Sequence, residues 1–392
     1  MSKVVIAGGA RTPIGKFQGA YQSLTAMDLG GVAIQGALER SRVSPDQVDY
    51  VVFGQVLQGG QGQITARQAA VKAGIGMEVP AITINKVCLS GLNAVAIAAA
   101  LIRSGEAEII VAGGMESMTN APYALPNARA GLRMGNGQIV DLMIHDGLWC
   151  AFDSSHMGEG SDKINAKLGL TREEQDAWAA RSHERAANAM KEGWFADEIV
   201  PVSVPQRKGD PILVTEDEGV RPGTTPEALA KLAPAFVKDG TITAGNASQV
   251  SDGAAALVVT SEENAKALGL PILCEIVSHG QVAGPDPSLH HQPSGAIRKA
   301  AEKAGLDPSG FDLYEMNEAF AAVAIASAND LGLDDEKVNP QGGAVALGHP
   351  IGASGARLVL TTAAQLQRRG GGVGVASLCG GGGQGDALIV RV

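Results

Sequence analysis

Cysteine is scarce in this chain. Four occur in 392 residues, at positions 88, 150, 274 and 379. No two lie at metal-finger spacing, which argues against a zinc site, and so low a density fits a reducing compartment. Aromatic residues are also few, at 4%, whereas glycine reaches 52 and hydrophobic residues 45%. That mix suits tightly packed α/β layers with many turns, not a disordered chain. Positive charge is in deficit. A formal net charge of −10 argues against nucleic acid or an anionic membrane as a general partner, and an anionic small molecule would need a local basic patch. Long apolar runs are missing too. The run at 94–102 has nine residues, too few to cross a bilayer. The N-terminus runs straight into a strand, with no signal-peptide core and no Arg/Ser-rich transit segment. The expectation is a soluble cytoplasmic protein with no metal.

What the sequence does contain is an internal repeat. Residues 33–52 read as an amphipathic helix, a short turn with Ser44-Pro45, and a strand. Residues 296–314 repeat that order with Asp307-Pro308, at a constant offset of 263. At an offset of 264, Ser90-Gly91 before one helix matches Ser354-Gly355 before another. In the second half, the strand ending at Cys379-Gly380 reaches its closing strand, 386–390, within a few residues. In the first half, the path from Gly113-Gly114 to the equivalent strand, 253–259, takes over a hundred. Residues 119–250 therefore read as an insertion. The predicted organisation is an N-terminal half over 1–118, an inserted loop domain over 119–250, a closing strand of the first half over 251–270, and a second half over 271–392. The fold class is α/β: duplicated α/β/α layered halves related by a pseudo-twofold, with an inserted loop domain. Within the insertion, Thr171-Arg172-Glu173-Glu174 is a capping box that opens a helix ending near Gly193.

The stretch 85–95 centres on Cys88, in a tight turn between a β-like run (81–84) and an Ala-rich helix. Such a turn exposes the side chain, and the free N–H groups of a helix start favour a thiolate. A small buried core cysteine is the competing reading. The duplication tips the balance, because it places the 349–355 turn beside the Cys88 turn as its equivalent. A cysteine and a histidine far apart in sequence then share one site. His349, flanked by glycine and proline, suits an exposed working imidazole. Cys379 lies at a strand end before four consecutive glycines, whose backbone can approach a ligand and offer N–H groups to a developing oxyanion.

Five segments, 85–91, 245–255, 317–320, 342–352 and 379–385, resemble the thiolase family, most closely its acetyl-CoA acetyltransferase branch. The likeness covers essentially the whole chain. It implies a thiolase-like fold and a ping-pong acyl transfer through an acetyl-Cys88 intermediate. Two acetyl-CoA give acetoacetyl-CoA and CoA, or the reverse by thiolysis. The resemblance assigns His349 as the base that activates Cys88. Asn317 holds a water that polarises the substrate carbonyl together with His349. Cys379 is the acid/base of the second half-reaction, and the backbone of Cys88 and Gly381 forms a second oxyanion hole. It assigns CoA and the acyl pocket to His156, Met157, Arg221, Phe236, Ala244, Ser248, Ala319 and Phe320. CoA and acetyl-CoA are substrates, with no permanently bound cofactor, and the assembly implied is a homotetramer with 124–141 as a contact. Glu318 is expected to cap or orient, and Trp178 to sit in the core of the insertion. Arg221 is expected near the nucleotide end of CoA, with a surface ion pair as the alternative. Cys150 and Cys274 have no motif around them and read as structural.

One departure stands out. After Asp286-Pro287 this chain reads Ser288-Leu289-His290-His291, where the family branch usually carries Met-Gly. The two histidines are either solvent-facing or in touch with the acyl group or pantetheine. Alternative readings are a 3-ketoacyl-CoA thiolase of broader or longer chain specificity, and a catalytically silent CoA-binding scaffold. A metal site using His290, His291 and a cysteine lacks a third ligand at suitable spacing.

Overall fold

The computed structural model describes residues 3–392. In the first half the major elements are β1 (Val4–Arg11), α1 (Ala26–Ser41), β2 (Tyr50–Gly54), α2 (Thr65–Lys72), β3 (Ala81–Ile84), α3 (Ser90–Ser104) and β4 (Ile109–Ser117). Two long helices of the insertion follow, α4 (Met157–Leu168) and α5 (Arg172–Lys191). The closing strand β5 (Ser251–Ser261) precedes β6 (Cys274–Ala283), α6 (Gln292–Ala304), β7 (Leu313–Met316), α7 (Ala321–Leu331), α8 (Ser354–Arg369), β8 (Val373–Gly380) and β9 (Gln384–Arg391).

The strands run in the order β7-β8-β9-β6-β1-β5-β4-β2-β3. Read outward from the β6–β1 junction, the two halves have one topology: 1-5-4-2 on one side and 6-9-8-7 on the other. The parallel pair β2·β4 matches the parallel pair β7·β8, and the remaining equivalent pairs are antiparallel. The second half has no partner for β3 beyond a single parallel bridge, Tyr314 to Val338. The halves share one sheet through three paired residues, Val4–Ile6 against Cys274–Ile276.

The core explains the composition. One apolar body packs α1 and α2 on the outer face of the first half, and another packs α6 and α7 on the outer face of the second. Between them α3 and α8 share a central body with strands of both halves. Covered on two sides, α3 can be Ala- and Leu-rich nearly all round. That corrects the nine-residue estimate: Val87–Ser104 is long and apolar enough, by length and composition, to cross a membrane. Its apolarity is that of a helix buried in the protein's centre.

Glycine sets how closely the central helices meet. A Cβ on Gly91 would stand 2.8 Å from the Ala356 nitrogen, and one on Gly355 would overlap the backbone of Leu92. The two helix starts thus touch backbone to backbone, and no larger residue leaves room for this crossing.

The expected capping box is present, with Thr171 Oγ1 accepting from Glu174 N–H and Glu174 Oε2 accepting from Thr171 N–H at 2.8 Å. The helix it opens does not close in on the insertion alone. Trp178 packs into the core of the second half and donates to Glu318 Oε1 at 2.9 Å, a correction to its reading as insertion core. The 127–139 excursion is exposed and carries Leu132, Met134 and Ile139 on its surface.

Candidate active site

The Cys88 turn is tightly wound. Ser90 Oγ accepts from Lys86 N–H at 2.8 Å and donates to Val87 O at 2.6 Å. Val87 adopts a φ of 51°, the left-handed region that a β-branched residue rarely enters, so the turn is strained. Lys86 anchors it to the other half: its Nζ donates to both oxygens of the buried Asp386 on β9, at 2.7 and 3.0 Å.

The histidine turn is held by the first half in return. His349 N–H donates to Ser251 Oγ and Gln249 O, both at 3.2 Å. Its Nδ1 pairs with Ser354 Oγ at 2.6 Å and its Nε2 lies 3.3 Å from Asn317 Nδ2. Glu116, fully buried at the end of β4, accepts backbone N–H groups from Val56, Leu57 and Gly352 at 3.0–3.2 Å. It therefore ties the strand end beside Cys88 to the turn that carries His349.

Burial decides the electrostatics. Cys88 and His349 are each only 5% exposed, and Cys379 is 1% exposed, so the expected exposure of Cys88 and His349 does not occur. Desolvation pushes the Cys88 thiol up to about 12, against its own N–H and that of Gly381, which hydrogen-bond it and favour the thiolate; nearby Glu116 adds to the rise. The N–H dipoles expected from the sequence act in favour of the thiolate, and the loss of water opposes them. Burial drives His349 down to about 3, helped by the Arg357 guanidinium. Cys379 is raised by burial and then by Cys88 itself. The resting centre is thus neutral: thiol, imidazole, thiol.

A hydrophobic cluster surrounds Cys379, bringing together Met157, Phe236, Ala319 and Phe320 from the predicted set. His156 joins by stacking on Phe236, ring centroids 4.5 Å apart, and Ser248 by two hydrogen bonds to Ala319 O, at 3.1 Å from N–H and 3.0 Å from Oγ. Gly381 abuts Met157, whose Cε would lie 3.7 Å from a Cβ there. Ala244 and Arg221 are exposed and outside this cluster. Arg221 donates its N–H to His183 Nδ1 at 3.1 Å and forms no ion pair among the described residues.

The family models described as "Thiolase, N-terminal domain" and "Thiolase, C-terminal domain" match residues 4–263 and 270–392. The chain belongs to the thiolase family. It is 56% identical over 391 residues to the "Probable acetyl-CoA acetyltransferase" of Mycobacterium tuberculosis, covering 100% of both chains. It is 53% identical to the "Acetyl-CoA acetyltransferase" of Pseudomonas aeruginosa, over 100% of this chain and 99% of that one. The crystal structure of the Bacillus anthracis acetyl-CoA acetyltransferase superposes with a TM-score of 0.97 at 43% identity, over 100% of this chain and 99% of that one.

Several residues that build this thiolase site were not found from sequence. In sequence Ser354 reads only as a repeat marker, yet it fixes the His349 ring. Glu116 and Asp386 lie at strand ends with no motif, and only their charge in otherwise apolar strands could have marked them. Glu318 is more than a cap: it accepts from Trp178, Ser182, Asn339 and the Val345 N–H, tying α5 to the segments that carry Asn317 and His349. Cys150 borders a cavity beside Met157. Of the unfamiliar pair, His291 is exposed but His290 is fully buried, its Nε2 donating to Asn165 Oδ1 at 2.7 Å.

A pH prediction follows from the depressed His349. The acid limb of kcat/KM for thiolysis is expected below pH 5, not at the ordinary histidine value of about 6.5. The stability contribution has a matching sign. Held neutral in the fold, His349 stabilises fully above about 6.5, and that contribution is lost as pH falls from there towards about 3. A rate profile from pH 4.5 to 8 checks it; a limb centred at 6.5 would show an unshifted histidine.

Proposed function

We propose that this chain is an acetyl-CoA C-acetyltransferase that condenses two acetyl-CoA to acetoacetyl-CoA and CoA, and runs the reverse thiolysis. The observation that carries this reading is the convergence on one sulfur. The N–H groups of Cys88 and Gly381, from different halves, both point at the Cys88 thiol, and a neutral imidazole paired with Asn317 belongs to the adjoining turn.

Cys88 attacks the carbonyl carbon of acetyl-CoA as its proton passes to His349. The oxyanion formed is stabilised by the Asn317–His349 pair through a bound water. The C–S bond to CoA breaks, and CoA leaves as a thiol with the proton of Cys379. Cys379, now a thiolate and a strong base because it is buried, takes a proton from the methyl of a second acetyl-CoA. The carbanion attacks acetyl-Cys88, whose oxyanion faces the Cys88 and Gly381 N–H groups. Acetoacetyl-CoA departs and the Cys88 thiolate recovers the proton held by His349. Protons and charges balance over the cycle.

His156 on Phe236, with Met157, Ala319, Phe320 and Ser248, forms the proposed CoA and acyl pocket. Exposed Ala244 and Arg221 serve its outer, nucleotide end. A homotetramer is proposed with the 124–141 excursion as a contact, supported by its exposed apolar residues. A cytoplasmic location is supported by four cysteines that are all free. Mass spectrometry after incubation with acetyl-CoA should find one acetyl group on the Cys88 peptide. A folded protein that binds CoA yet stays unmodified would overturn the enzyme reading.

A further inference from the structure

His349 is held at both ring nitrogens, and the two holders come from different elements. Asn317, the residue after β7, has its Nδ2 3.3 Å from Nε2, and Ser354, the first residue of α8, has its Oγ 2.6 Å from Nδ1. Ser354 Oγ already donates to Pro350 O at 3.0 Å, so it accepts from the imidazole. The ring is then the neutral tautomer with its proton on Nδ1 and a free electron pair on Nε2. That state depends on the spacing of β7 and α8.

A buried pair spans these two elements. Glu315 lies on β7 two residues before Asn317, and Arg357 lies on α8 about one turn after Ser354. Arg357 Nη1 donates to Glu315 Oε2 at 3.2 Å, and Gln365, also on α8, donates to Glu315 Oε1 at 2.7 Å. Both charged side chains are buried. The guanidinium sits in the first turn of its helix, where the positive end of the helix dipole opposes a cation. A buried ion pair gains little over apolar side chains of similar volume, so stability does not account for this one. Its charge does act on the site: after burial, Arg357 is what opposes a proton on His349.

We propose that Glu315 and Arg357 are the positioning pair of His349, keeping Asn317 and Ser354 at the two edges of the imidazole and the ring neutral. The inference rests on the acetyltransferase reading above, in which His349 takes the proton of Cys88.

The test uses the full chain with Glu315→Gln, Arg357→Met or Arg357→Lys. Glutamine offers one acceptor oxygen to two donors, so either Arg357 or Gln365 loses its partner. In Glu315→Gln and Arg357→Met, kcat for acetoacetyl-CoA thiolysis should fall by about tenfold or more, with KM for both substrates within about twofold of wild type. Arg357→Lys should hold kcat to within about threefold of wild type, because the pair uses one guanidinium nitrogen and an ammonium can replace it. Alkylation of Cys88 by iodoacetamide, read by mass spectrometry, separates positioning from loosening. A displaced base slows it by about tenfold, whereas a loosened core exposes the buried thiol and speeds it. Faster alkylation in the variants overturns the proposal. So does a kcat within about twofold of wild type in Glu315→Gln, or an Arg357→Lys rate no higher than that of Arg357→Met. Where Arg357→Met does not fold, Glu315→Gln carries the test. A wild-type chain inactive on acetoacetyl-CoA overturns the activity reading instead, and the alkylation comparison still tests the pair.

Discussion

Cys88→Ala should reduce acetoacetyl-CoA thiolysis by on the order of 10⁴-fold or more and abolish the acetyl adduct. No neighbour can substitute. Cys379 is the nearest other thiol, but it is buried at a strand end and its own proton is needed for the departing CoA. Loss of one sulfur from the central core should cost stability by no more than about 1 kcal/mol, so a folded, inactive protein is the expected result. Cys379→Ala separates the roles. It should still take an acetyl group, slowly, and should fail to exchange the methyl protons of acetyl-CoA with deuterated solvent. Retention of thiolysis within tenfold in Cys88→Ala would remove Cys88 as the nucleophile.

The largest effect on stability is expected at Arg11. This guanidinium is 1% exposed at the end of β1. It donates to Glu198 Oε2 at 2.9 Å and in fork geometry to both oxygens of Asp217, at 2.8 and 3.0 Å. Glu198 also accepts from Thr361 Oγ1 on α8 at 2.9 Å, so one cation joins the first half, the insertion and the second half. Burial works against the Arg11 charge, but the adjacent Asp217 and Glu198 carboxylates outweigh it and hold the cation firmly protonated. Arg11→Met keeps an unbranched apolar stem but leaves two buried negative charges without a partner, at a cost of about 3–5 kcal/mol. Urea unfolding of both proteins at pH 7.5 would show this. A loss below about 1 kcal/mol would mean that water reaches the network.

The offsets of 263 and 264 are visible because helices and turns recur with the same punctuation, and they place the Cys88 and His349 turns together. The insertion shows as a length difference between equivalent paths. What stayed hidden depends on burial, which a linear pattern signals poorly for polar residues. His290 looks like a surface residue until Asn165, 125 positions away, is brought against it. Glu116 and Asp386 are single acids in apolar strands whose partners are backbone groups or a lysine in distant turns. The depth of Cys88 is hidden for the same reason. The N–H groups that favour a thiolate are present, but the depth of the turn within the protein is a tertiary fact.

The close backbone approach of the two helix starts at Gly91 and Gly355 bears on how such a chain could arise. Each half presents an apolar central helix that it cannot cover by itself, and the other half covers it with an equivalent helix at equivalent glycines. A lone half could satisfy that face only with a second copy of itself, at the mercy of concentration. Fusion makes the encounter intramolecular. Once joined, the two faces need not stay alike. One lineage of the repeat could keep the nucleophile and grow a substrate lobe, while the other kept the histidine and the second thiol, a division of labour closed to an assembly of identical subunits.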